Sequence, residues 1–187
     1  MTRRELFPLA LAPLASSLVI PAAFGQTVPR PADELLITTL LGSKINVNSM
    51  KGKVVVVELL LTWCSHCQAS AKVLQDLYTE LKPKGLEVVG AATNTDAVKA
   101  KDDIGGFLGV TNAKFPVGWI TQEQSMRFLQ HPAGKNLYFP QLVLIDRKGR
   151  VVYQHTGEVD AAALRLEINT ALGTAAPAAA THKKAAA

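Results

Sequence analysis

Hydrophobic and polar positions change period several times along this chain, and each change marks an element. Val54 to Leu61 is an almost unbroken apolar run, with Glu58 as the single charge inside it. A run this short, led by β-branched residues and preceded by a Lys51-Gly52-Lys53 turn, predicts a strand buried on both faces, as in a parallel or mixed sheet. From Ser65 to Lys82 the period lengthens. Ala69, Val73, Leu74, Leu77 and Leu81 recur at helical spacing, and Pro83 and Gly85 stop the helix. Leu86 to Ala92 reads as a second strand, and Thr95 to about Leu108 as a helix ending near Gly109. Lys114 to Trp119 is a short strand and Gln122 to Gln130 a short helix. Gln141 to Asp146 and Arg150 to His155 pair through the Arg147-Lys148-Gly149 turn, and Ala161 to Leu172 forms a last helix. Upstream, Leu36 to Val47 alternates loosely around Gly42-Ser43-Lys44, which predicts a small N-terminal hairpin.

Strand, helix, strand, helix, strand, then hairpin and helix is an α/β order, with a central mixed sheet flanked by helices on both faces. A right-handed crossover lays the helix that follows Val54–Leu61 on one sheet face. Its N-terminus then emerges at the C-terminal end of that strand. The two chain ends read differently. Arg3 and Arg4 precede an apolar stretch from Leu6 to Phe24, broken by Pro8, Pro13 and Pro21, and Ala23-Phe24-Gly25 leads to a cut before Gln26. This is the pattern of a secretory signal peptide over residues 1–25. The prolines make an uncleaved spanning anchor the poorer reading. Thr2-Arg3-Arg4-Glu5-Leu6-Phe7 also resembles a twin-arginine export signal. Residues 26–35, with Pro29 and Pro31, read as a linker, residues 36–172 as one domain, and residues 173–187 as a low-complexity Ala/Pro/Lys tail for which disorder is expected.

Composition narrows the function classes. In 187 residues the apolar fraction is 48%, ample for a packed core, and the formal charge of +5 is spread thinly. With no Lys/Arg block longer than two and no aromatics interleaved with basic residues, a nucleic-acid surface is not expected. A monomer is expected.

The candidate chemistry lies in Trp63-Cys64-Ser65-His66-Cys67, which holds the chain's only two cysteines. Outside the cytoplasm disulfides persist, yet a bond across three residues closes almost no loop and stabilises little. Redox exchange is the better use of the pair. Free cysteine, with a pKa of about 8.5, supplies little thiolate at neutral pH. Cys64 begins a helix, where free N–H groups and the helix dipole favour negative charge, and a protonated His66 adds to this. Cys67, one turn deeper, is expected to act second, on the mixed disulfide. Zinc needs three or four ligands, and His131, His155 and His182 show no ligand spacing. Covalent haem needs histidine after the second cysteine, where Gln68 stands. Neither a cofactor nor a metal is expected. Glu58, six residues before Cys64, is expected to be buried with a raised pKa, and so able to take the Cys67 proton. The alternative is a solvent-facing glutamate at a strand end. Pro140, after Tyr138-Phe139, is either an ordinary trans proline opening a strand or a cis proline packed against the thiols. Trp63 is either contact surface beside the thiols or partly buried core.

Three stretches together resemble the thioredoxin superfamily, and within it the exported TlpA/ResA-like thiol–disulfide oxidoreductases. They are Lys53 to Trp63-Cys64, Ser65-His66-Cys67, and Phe139-Pro140-Gln141-Leu142-Val143-Leu144-Ile145-Asp146 with Gly149 and Val151-Val152-Tyr153. The resemblance covers about Leu36 to Leu172. It implies a thioredoxin-like fold with an N-terminal hairpin extension, Cys64 as nucleophile, Cys67 as resolving thiol, Pro140 as a cis proline and Glu58 as the buried acid. It also implies a substrate surface at Trp63, Phe139 and Pro140, protein thiols and disulfides as substrates, a redox partner protein that is membrane-bound or soluble, and a periplasmic or other extracytoplasmic location. Exported reductants of the family usually carry Pro or Glu between the cysteines, whereas a histidine before the second cysteine resembles the more oxidising DsbA-like and disulfide-isomerase members. Ser70 stands where the family has an acid, Phe139 is bulky for its position, and Leu61 replaces the threonine of the peroxiredoxin branch. The direction of electron flow stays open. Two other classes also stay open: a non-catalytic peptide-binding or chaperone-like module using Tyr138-Phe139 and Trp63, and a copper carrier using both thiols.

Overall fold

The computed structural model describes residues 27–174. The expected signal peptide and residues 175–187 of the expected tail lie outside the described residues. Val54–Leu60 (β4) is buried at every position, as its unbroken apolar run requires. Leu86–Ala92 (β5) pairs parallel to it, and Val117–Trp119 (β6) pairs parallel to β5. Gln141–Ile145 (β7) and Arg150–Thr156 (β8) form an antiparallel hairpin, and β7 lies antiparallel to β4. The N-terminal hairpin, Leu36–Thr39 (β2) and Lys44–Asn46 (β3), docks through β2 on β6. Gly118 permits that docking, because a Cβ there would lie 2.4 Å from the Thr38 carbonyl oxygen.

Part of the stretch expected as a linker is built into the sheet. Arg30–Pro31 (β1) pairs with β8 and completes one eight-stranded sheet, in the order β1-β8-β7-β4-β5-β6-β2-β3. The Arg30 guanidinium is buried and donates to the Phe128 carbonyl at 2.9 Å and to Gln154 Oε1 at 3.2 Å. A two-residue strand carries no hydrophobic period, so nothing in the local pattern announces it.

Helices cover both sheet faces. Ser65–Leu81 (α1), Ala100–Thr111 (α2) and Ala161–Leu172 (α4) pack on the face of Val54, Val56 and Leu60. Gln122–Phe128 (α3) and the N-terminal segment cover Val55, Val57 and Leu59 on the other face. Cys67, Ala71, Leu74, Leu77, Tyr78 and Leu81 make the buried stripe of α1.

Two elements start later than the sequence pattern predicts. The helix expected from Thr95 begins at Ala100, because the Asp96 carboxylate accepts the Val98 and Lys99 N–H groups and holds a turn first. The strand expected from Lys114 begins at Val117, after Pro116, which has no N–H to contribute to a ladder. Among the described residues, no helix is long and apolar enough to cross a membrane.

Candidate active site

β4 runs directly into the site. After Leu60 the chain leaves the sheet, turns at Leu61–Trp63 and enters α1 at Cys64. Cys64 has extended backbone (φ −76°, ψ 117°) and acts as the N-cap of α1, its Sγ accepting the Cys67 N–H at 3.3 Å. A sulfur in this place meets the unpaired amides of the first helical turn. Cys64 is half-buried, whereas Cys67 is fully buried against the sheet. The helix makes this asymmetry. Its first turn starts at the surface and rotates the third residue inward.

Glu58 points to the same sheet face as Val56 and Leu60, toward α1, and has no exposed surface. Burial, opposed by Ser70, raises its pKa from 4.5 to about 8. Ser70, one turn beyond Cys67, offers little compensation, because neither Glu58 oxygen nor Ser70 Oγ makes a hydrogen bond among the described residues. Burial pushes the Cys67 thiol far up, helped by its hydrogen bond with Cys64 and by the charges of Cys64 and Glu58; the Leu61 backbone pulls it the other way. Cys67 and Glu58 are thus brought together below the surface, each holding its proton more tightly than in water.

The loop before β7 closes the site from the side. The Phe139–Pro140 peptide bond is cis. Pro140 is buried, and Phe139 packs partly against the cores on both sheet faces. Gln141 is buried, donates to the Tyr138 carbonyl at 2.7 Å and accepts from Thr156 Oγ1 at 3.0 Å. This holds Tyr138 and Phe139 against the end of β8. Trp63 is 72% exposed and Tyr138 65% exposed, so both present open aromatic surface.

His66 is exposed on the first turn of α1. Its Nδ1 pairs with the Glu158 carboxylate, which arrives from the β8–α4 loop. Sequence reasoning placed His66 and missed Glu158. Two further residues were missed. Asn94, just after β5, grips Thr62: its Oδ1 accepts the Thr62 N–H at 2.9 Å, and its Nδ2 donates to Thr62 Oγ1 at 2.9 Å. Gln68 Nε2 donates to the Thr62 carbonyl at 3.1 Å. Every polar group of the residue two before Cys64 is held. An Asn after a buried parallel strand was the only available signal, and it is a weak one. No group of three or more His, Cys, Asp or Glu is placed to hold a metal ion among the described residues.

The arrangement is that of an accessible thiol backed by a buried thiol and a buried acid, beside an aromatic surface. The Redoxin family model matches residues 23–172. The chain is similar to the thiol-disulfide oxidoreductase ResA of Bacillus thuringiensis, at 30% identity over 131 residues and 70% of each chain. It is also similar in structure to a Chlorobium tepidum protein described as a thiol:disulfide interchange protein DsbE. There the TM-score is 0.67 and identity 26%, over 78% of this chain and 97% of that one. A thioredoxin family thiol:disulfide interchange protein of Chlorobium tepidum TLS shares the fold at a TM-score of 0.66 and 23% identity, over 80% of this chain and all (100%) of that one.

Proposed function

The chain belongs to the Redoxin family, and from that premise we propose that it exchanges disulfides with protein cysteines through Cys64 and Cys67, outside the cytoplasm. It is a thiol–disulfide oxidoreductase of the TlpA/ResA-like thioredoxin type. The observation that carries the division of labour is the unequal burial of the two thiols.

The accessible Cys64 thiolate attacks one sulfur of a substrate disulfide. A Cys64–substrate bond forms, and the other substrate sulfur leaves as a thiolate that takes a proton from solvent. Cys67 then gives its proton to the Glu58 carboxylate and attacks Cys64 Sγ. The Cys64–Cys67 bond forms, the Cys64–substrate bond breaks, and the second substrate thiolate departs. Two electrons pass from the protein dithiol to the substrate disulfide; the reverse sequence oxidises a substrate dithiol. A carboxyl with a pKa near 8 exchanges its proton close to working pH, which suits Glu58 to this step. Trp63, Phe139 and Pro140 line the surface that receives the substrate chain, and Tyr138 extends it. His66 adjusts the charge beside Cys64.

Residues 1–25, with the paired Arg3 and Arg4, direct export to the periplasm or an equivalent compartment. The partners are protein thiols and disulfides and one redox protein that resets the pair. The domain acts as a monomer.

Trapping tests the reading. Cys67→Ala is expected to accumulate mixed disulfides with protein substrates, while wild-type protein catalyses insulin disulfide reduction or the oxidation of a reduced protein. Absence of both trapping and exchange sinks the reading. Peptide binding that survives Cys64→Ser/Cys67→Ser without any exchange would instead support a binding module, the reading that the open Trp63 and Tyr138 surfaces favour.

A further inference from the structure

The β8–α4 loop brings a carboxylate to the residue between the two cysteines. Glu158 and His66 are 92 residues apart in the chain, and their side chains meet in the fold. The loop is not a free tether. Gly157, at φ +90°, turns the chain, and its N–H donates to the Pro140 carbonyl at 2.8 Å. The Glu158 carbonyl accepts from His155 Nε2 at 2.8 Å, and the His155 ring stacks on Tyr153 with planes 6° apart. Val159 packs against the core, and Asp160 caps α4 by accepting the Ala163 N–H at 2.8 Å. The main chain on both sides of Glu158 is fixed, which keeps its carboxylate within reach of His66, and the pairing with His66 is what holds it there.

Both partners are more than half exposed, at 65% and 62%. A pair this wet adds little to folding stability. Its location gives it another use. A positive His66 stabilises the thiolate of reduced Cys64 and so favours the reduced state, which makes a pair more oxidising. A carboxylate on His66 cancels that field.

We propose that Glu158 is a positioning residue that sets the redox poise of the Cys64–Cys67 pair by holding and neutralising His66. This rests on the exchange reading above and deepens it. Glu158 moves the site toward the reducing side, against the tendency of the Ser65-His66 dipeptide. It is tied through Gly157 to Pro140, so a substrate docked at Phe139–Pro140 lies beside it.

The test is equilibration of the whole protein with glutathione at pH 7, where dithiol plus oxidised glutathione gives the Cys64–Cys67 disulfide plus two reduced glutathiones. Glu158→Gln is expected to shift this equilibrium toward the protein dithiol by about threefold, the size an exposed charge contact supports. For a two-electron couple that is about 14 mV, at 29.6 mV per tenfold. The shift should vanish in a His66→Gln background and shrink in 1 M salt. An unchanged equilibrium in Glu158→Gln overturns the proposal while leaving exchange intact, and so does a shift of equal size in the His66→Gln background. If the wild-type pair does not equilibrate with glutathione at all, the exchange reading fails first.

Discussion

Cys64 and Cys67 share one helical turn but belong to different regions. Around Cys64 is a wet rim: Trp63, His66, Tyr138 and Glu158 are all exposed, and the sulfur accepts the Cys67 N–H in the first turn of α1. Around Cys67 is a dry floor, made of β4, Ala71, Leu142 and the buried Glu58 and Ser70. The two thiols are chemically the same, and the turn of α1 makes them different. One can meet a partner in solvent, and the other can meet only its neighbour. On the exchange proposed above, this difference in depth sets the order in which the two thiols act.

The contrast can be broken first at the floor. Glu58 titrates near 4.5 in the unfolded chain and about 8 in the fold. Below pH 4.5 it is neutral in both states and contributes no pH dependence. As pH rises from there to 8, the unfolded chain releases the proton first, so stability falls and then levels. At about 1.36 kcal/mol per pH unit the loss is on the order of 5 kcal/mol. Urea unfolding of the reduced protein at pH 4.5, 7 and 9 should show this decline, and Glu58→Gln should flatten it. Equal slopes in the two proteins would place Glu58 in contact with water. A smaller effect sharpens the comparison directly. When reduced protein is alkylated at neutral pH, Cys64 should react on the order of a hundredfold faster than Cys67, since burial both hides the Cys67 thiol and raises its pKa. Comparable rates would erase the distinction between rim and floor. The smallest change loosens the rim alone. Asn94→Ala strips the buried Thr62 N–H of its partner and should cost about 1–3 kcal/mol, with exchange slowed several-fold and Cys67 still protected from alkylation. A loss below about 0.5 kcal/mol with unchanged exchange would mean that Thr62 needs no clamp.

Most of the floor was legible before folding. β5 and α4 fall on the boundaries their patterns predict, and β4 and α1 end one residue early. Glu58 stood out because a charge inside an apolar strand is costly unless something uses it. The rim was legible only in part. Trp63 and His66 are contiguous with the cysteines and could be read from the motif. Glu158 and Asn94 belong to other segments, and no local period links them to residues 62 and 66. They join the site only when β4 pairs with β5 and β8 leads into α4. The same holds for β1, whose two residues owe their strand conformation to β8.

The grip on Thr62 has a consequence for engineering. The five residues Trp63 to Cys67 look like a portable cassette, and moving them to another helix N-terminus would carry both sulfurs and the histidine. It would leave behind Asn94, whose amide fastens the base of that loop from the neighbouring strand. Gln68 would have to travel too, since it secures the Thr62 carbonyl. The smallest unit that can be transplanted with its geometry is therefore discontinuous: residues 62 to 68 together with an amide side chain at the end of an adjacent parallel strand.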